Sequence, residues 1–232
     1  MSSEDENLSY FRLTNKEMVL AITADNELYR MLYGPFPDNY GKTTETAVSK
    51  DRLPGELRQF FSGVDPDKWI VYVKADSNAV FSNIVDLFDL LRTGGIDRVG
   101  VVAADEDVAT KRNAAGFEVK LPAPPVSGDM NVKPNPLTLV ATVHADGSLA
   151  LNGERRGTIA NMESLENILR QVFREREQNG VFREGTNEIE KTVWIRMSRT
   201  RRYEEFLRTV HALKRMGAGP IRVQVDDLEN VK

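Results

Sequence analysis

The segment from residue 71 to residue 101 recurs, without a gap, at residues 193–223. In the first copy Phe81, Ile84, Val85, Phe88 and Leu91 form an apolar stripe at helical spacing. Adding 122 to each number gives Tyr203, Phe206, Leu207, Val210 and Leu213. Gly95 maps onto Gly217, Val99 onto Ile221 and Val101 onto Val223. A second block agrees within one residue: Val19 to Asp25 maps, at an offset of 121, onto Val140 to Asp146. Two matching blocks at nearly one period predict a duplicated unit. The period lies far above the roughly 20–50 residues of a solenoid repeat, so each copy is long enough to bury its own core.

The chain has 232 residues, and domains of about 100–150 residues are typical, so length agrees with two units. The expected organisation is a first domain at 1–110, a proline-rich linker at 111–136 with an edge strand at 117–121, and a second domain at 137–232. No cysteine is present, which excludes disulfides and thiolate metal sites. No run approaches the roughly 18–20 apolar residues that span a bilayer. The start, Met-Ser-Ser-Glu-Asp-Glu, is acidic, and no secretory signal is visible in it. The absence of cysteine suits the cytoplasm or a bacterial periplasm, and the absence of a signal or span implies either that the chain stays where it is made or that an export or membrane segment is missing from it. Charge divides unevenly: residues 1–110 hold 11 Lys/Arg and 19 Asp/Glu, and residues 111–232 hold 20 and 16. Halves of opposite sign can attract each other or orient a partner, or simply present differently solvated faces.

Each copy reads as a mixed α/β unit in the order ββαβαβ, with helices packed on one face of its sheet. Met18–Ala24 and Glu27–Leu32 form a hairpin over Asp25-Asn26. Residues 34–50 carry Gly34-Pro35, Pro37-Asp38-Asn39 and Gly41 and read as a long loop. A short helix with Leu53, Leu57, Phe60 and Phe61 on one face comes next, then a strand at Trp69–Ala75, a helix at Ala79–Thr93 stopped by Gly94-Gly95, and a strand at Arg98–Ala103. The second copy gives strands at Leu137–Ala145 and Ser148–Asn152, then a helix carrying Met162, Leu165, Ile168, Leu169, Val172 and Phe173. A strand at Lys191–Met197, a helix at Arg202–Met216 and a strand at Ile221–Val225 complete it. The strands flanking each second helix should be parallel. Five of the ten prolines, Pro122, Pro124, Pro125, Pro134 and Pro136, fall between the copies. Phe117 to Leu121 alternates apolar and polar residues as an edge strand would, and Pro122 ends it.

Few conventional active-site patterns appear. His144 and His211 are isolated and read as structural. Gly41-Lys42-Thr43 resembles the end of a phosphate-binding loop, but Phe36 stands where the pattern needs glycine. Gly217-Ala218-Gly219-Pro220 follows a helix and precedes a strand, the reverse of a dinucleotide fingerprint. No nucleophile sits in an activating motif. Neither a cofactor nor a metal site is expected. Asp76 ends a strand before a helix, and its counterpart is Ser198; both suit capping or a related turn. Arg196, Arg199, Arg201 and Arg202 cluster at the same junction in the second copy, and Arg208, Lys214 and Arg215 continue the charge. This basic face is either solvated or contacts an anionic lipid, a cell-wall polymer, nucleic acid or an acidic partner. No aromatic platform interleaves with it, which disfavours single-stranded nucleic acid.

Read together, these segments resemble the periplasmic domain of the ExbD/TolR biopolymer-transport family. The family pattern is an apolar strand ending in Ala-Asp, a helix beginning near an aromatic residue, a glycine stop and a final strand. Here it is Val71 to Asp76, Phe81 to Leu91, Gly94-Gly95-Ile96 and Val99 to Val102. Val119-Lys120-Leu121-Pro122 looks like the family's valine-x-leucine-proline segment, and Ala145 to Glu154, with Asp146-Gly147 and Leu151-Asn152-Gly153-Glu154, looks like its hairpin. Members carry an N-terminal transmembrane helix with a proton-handling aspartate, to which no residue here corresponds. The resemblance implies a non-enzymatic interaction module serving a proton-driven envelope complex. Its partners would be an ExbB/TolQ-like motor subunit, a TonB-like protein or a cell-wall polymer, and its location periplasmic or at the inner membrane. The tandem copies would form the family's dimer within one chain, with Val119 and Leu121 bridging them by strand addition. Val119, Leu121, Asp76, Arg196, Arg199, Arg201 and Arg202 are the candidate partner-binding residues. The alternative is a soluble α/β ligand-binding or regulatory protein without a motor role.

Overall fold

The computed structural model describes residues 17–33, 43–65, 69–103, 117–121 and 137–224. Gly41-Lys42, residues 34–42 of the expected loop, the five prolines between the copies and Val225 lie outside the described residues.

Valine, isoleucine, leucine and tyrosine dominate the first strands, β1 (Glu17–Ile22) and β2 (Leu28–Tyr33), which pair as a hairpin across Asp25-Asn26. Then come β3 (Thr43–Ala47), α1 (Leu53–Phe60), β4 (Ile70–Ala75), α2 (Phe81–Thr93) and β5 (Arg98–Ala103). After β6 (Phe117–Lys120), the C-terminal half contributes β7 (Leu139–Val143), β8 (Ser148–Leu151), β9 (Glu154–Thr158), α3 (Glu163–Gln178), β10 (Val193–Met197), α4 (Tyr203–Arg215) and β11 (Ile221–Val223). Gly95 and Gly217 stop α2 and α4 at φ 93° and 84°, where a side chain would be strained. The amides of Ile96 and Ala218 then donate to Leu91 and Leu213, each at 3.0 Å.

The fold is mixed α/β, as expected, but each half reads βββαβαβ rather than ββαβαβ. The additional strands are β3, within the expected loop, and β9. They are the two outermost strands of the sheet. Their sequences, Thr-Thr-Glu-Thr-Ala and Glu-Arg-Arg-Gly-Thr, lack apolar alternation. A charged edge strand discourages pairing with further chains, and this hides it from a pattern search.

Among the described residues eleven strands join one sheet in the order β3-β2-β1-β4-β5-β6-β11-β10-β7-β8-β9. Within each half the middle strand is parallel to both neighbours, β4 to β1 and β5, and β10 to β7 and β11. The registers correspond position by position. Ile22 faces Ala75 as Val143 faces Met197, and Val71 faces Val99 as Val193 faces Ile221. β6 runs antiparallel to β5 and parallel to β11, so β5 and β11 run in opposite directions. Reversed order with reversed direction is the relation of a two-fold axis standing on the sheet near β6.

One hydrophobic cluster covers one face of this sheet. Leu20, Val73, Val101, Val119, Ile221, Ile195 and Val143 meet Leu57, Phe88, Leu91, Leu169, Phe206 and Leu213 from the helices. Burying each such side chain contributes roughly 1.5–3 kcal/mol. All four helices add residues to this cluster, so the opposite face carries no helix among the described residues.

Candidate functional site

The first amides of a helix have no partner within the helix and need a cap. At α2 and α4 the preceding residues are Val80 and Arg202, which offer no acceptor on the side chain. The amides are satisfied by the other half instead. Phe81 donates to the Arg201 carbonyl at 2.7 Å and Ser82 to that of Arg199 at 3.0 Å. In return Tyr203 donates to Ala79 at 2.9 Å and Glu204 to Ser77 at 3.2 Å. Val80 and Arg202 bridge each other at the centre of this short antiparallel ribbon. Adding 122 converts each bond into its reciprocal, the signature of an isologous contact.

Side chains reinforce the seam. Phe206 of α4 lies 5.2 Å from Phe81 and 6.2 Å from Phe88, both on α2, ring centre to ring centre. Ala79, Phe81, Tyr203 and Phe206 are fully buried. The Tyr203 hydroxyl lies 3.2 Å from the Val73 carbonyl and 3.1 Å from that of Val102, reaching from α4 to β4 and β5. Burial pushes its phenol well above the usual tyrosine range. Glu205 accepts from the Arg202 amide at 3.0 Å and pairs with Arg201.

The candidate residues divide around this seam. Val119 and Leu121 are buried, Val119 within β6 and Leu121 just beyond it; β6 has both edges paired. Arg199 and Arg202 cross the seam, Arg199 to Asp86 at 3.3 Å and Arg202 to Asn78 at 3.4 Å. Arg201 instead donates to the Ala145 carbonyl at 3.0 Å beside the β7–β8 turn. Arg196 alternates with buried Ile195 and Met197, so it projects from the helix-free face, apart from the other three. Asp76 makes a turn, accepting from the Asn78 amide at 2.8 Å, while the Ser198 hydroxyl meets that of Thr200 at 3.1 Å. Neither residue caps a helix, because α2 and α4 begin five residues later. Sequence reasoning missed the ribbon and Tyr203. The available signal was a helix start without a polar cap, present at both Val80 and Arg202.

Two polar features lie in the C-terminal half. Arg176, buried in the last turn of α3, donates to the carbonyls of Glu190 at 2.7 Å and Leu137 at 2.5 Å. Asp146 is held below the usual carboxylate range by the Ser148 hydroxyl and by its amide, 2.8 Å away. An open groove of about 650 Å³ runs between β9 and α3, lined by Thr158, Asn161, Asn167, Ile168 and Gln171 among others. No group of three or more His, Cys, Asp or Glu is arranged to hold a metal ion among the described residues.

No curated protein matches the chain. Residues 108–228 match the family described as Biopolymer transport protein ExbD/TolR. The match covers more than half of the chain and spans every element from β6 to β11. The chain therefore belongs to the ExbD/TolR family of biopolymer transport proteins.

Proposed function

We propose that this chain is a non-enzymatic interaction module of a proton-driven energy-transduction complex in the bacterial envelope, working beside the inner membrane on the periplasmic side. Members of the family are transport components rather than enzymes. The observation that carries the reading is the reciprocal ribbon between residues 77–82 and 199–204. Its isologous bonding supports an origin by duplication, with units at 1–110 and 137–232 joined through 111–136. The result is the family's dimer built into a single chain. Such a chain presents two related but unequal surfaces to one partner, an ExbB/TolQ-like motor subunit or a TonB-like protein.

Cross-linking of the tagged chain in its native cell, followed by mass spectrometry, tests this. The expected result is enrichment of a polytopic motor subunit. Recovery of soluble cytoplasmic proteins alone would sink the reading, and recovery of cell-wall fragments alone would move the partner to the polymer.

A second reading, a ligand-binding protein without a motor role, draws on the groove between β9 and α3. It requires a small molecule whose retention falls on Asn161→Leu or Gln171→Leu while motor-subunit capture is absent.

A further inference from the structure

We propose that the helix-free face of the sheet binds an acidic polypeptide segment along a row of cations centred on β6. The strand register carries this. Arg98 of β5 stands opposite Lys120, Lys120 stands opposite Arg222 of β11, and Arg222 stands opposite Trp194 of β10. Their neighbours Val99, Val119, Ile221, Val193 and Ile195 are buried beneath the helices, so by alternation these four residues share the other face. Adjacent strands lie about 4.8 Å apart, which places three cationic residues side by side. Lys120 and Arg222, like charges directly opposite one another, repel, and an anionic occupant would offset that repulsion. Arg196 adds a further cation on this face two residues beyond Trp194.

The chemistry of the row selects its occupant. The Arg222 guanidinium lies 5.4 Å from the Trp194 ring centre and takes that ring face from any base or sugar. A stacked guanidinium keeps its N–H edge free for a carboxylate fork. Among the described residues the exposed large apolar side chains, Phe60, Val80, Leu137 and Phe182, all lie outside these strands, which offers a lipid surface no apolar anchor there. An extended segment with carboxylates at alternate positions presents them roughly 7 Å apart, within reach of long Lys and Arg side chains spaced across the strands. The occupant is therefore an acidic stretch of another polypeptide. This inference stands independently of the motor partner, since either interaction can be lost without the other.

The test uses the full chain. It has two tryptophans, so Trp69→Phe leaves Trp194 as the single reporter within the row. Titration with a peptide of about twelve alternating Glu and Ser residues should change Trp194 emission to saturation, and salt should weaken the binding. Lys120→Glu and Arg222→Gln should each weaken it on the order of tenfold, the loss of one charge-assisted pair. Arg208→Glu, on the exposed side of α4, should leave it unchanged. Anisotropy of the labelled peptide with the unsubstituted tryptophans gives the same answer if Trp69→Phe fails to fold. The proposal is overturned if the peptide does not bind, or binds Lys120→Glu equally well. It is also overturned if phosphatidylglycerol vesicles bind through this row and the peptide does not.

Discussion

The two halves of the sheet share a ladder and differ in nearly everything that closes it. The hairpins β1–β2 and β7–β8 keep one register, Ile22 facing Leu28 as Val143 faces Leu149. Beyond the ladder they diverge. In the N-terminal half, α1 has 8 residues and the chain returns over Phe61, which stacks on Trp69 at 5.3 Å. In the C-terminal half, α3 has 16 residues and the return is held by the buried Arg176 guanidinium. On the helix-free face Tyr72 covers Gly100, where an added Cβ would lie 2.3 Å from the ring. The positions corresponding to Tyr72 and Gly100 hold Trp194 and Arg222, a ring and a guanidinium instead of a ring and bare backbone. Backbone pairing specifies the fold from few residues, so the side chains at its margins are free to take different work in the two halves.

The contacts across the seam should make these unequal halves one cooperative unit. Phe206→Ala should have the largest effect, about 3–5 kcal/mol, because it empties a fully buried site that touches α2 and α4 together. Urea unfolding of that variant, of Phe81→Ala and of the double variant gives their coupling, expected at about 0.5–3 kcal/mol. Independent halves would instead show additive losses and two separate transitions, which would break the comparison at its root.

Arg176→Ala comes next and acts in the C-terminal half alone. It removes the Arg176 bonds to the carbonyls of Glu190 and Leu137 in a partly buried setting, a loss of about 1–3 kcal/mol. Hydrogen exchange should rise along residues 181–192 and stay unchanged around Phe61 and Trp69. Equal deprotection on both sides would mean that the return of α3 is not the local device its hydrogen bonds describe.

What could be read beforehand follows the same division. The apolar stripe from Phe81 to Leu91 and its counterpart from Tyr203 to Leu213 announce α2 and α4, because one buried face forces apolar residues to recur at helical spacing. β3 and β9 escaped, since an edge strand with a single neighbour needs no apolar face. The Arg196 to Arg202 cluster looks like one patch in sequence. It divides in space because Arg196 sits within a strand and obeys its alternation, whereas Arg199, Arg201 and Arg202 follow the turn into the ribbon. The row through Arg98, Lys120 and Arg222 was invisible, as it joins three segments far apart in the chain whose register only the folded sheet defines.

The finest difference between the halves is a single oxygen. Phe81 and Tyr203 occupy equivalent positions at the starts of α2 and α4, and only Tyr203 bears a hydroxyl, placed against two carbonyls of the N-terminal half. Tyr203→Phe installs the residue that the first half already uses, so packing should survive and the loss near neutral pH should be about 1 kcal/mol. The alkaline limb gives the sharper reading. Burial raises the folded-state phenol above its ordinary value, so the stability linked to this proton is fully present below about pH 10, where the unfolded phenol begins to ionise. It is lost as pH rises from there, by about 1.4 kcal/mol for each pH unit. Tyr203→Phe removes that term, so the gap between the two proteins should close and then reverse between pH 10 and 11. A gap that stays constant across this range would show that the hydroxyl is reached by solvent, and that the two halves meet there on equal terms.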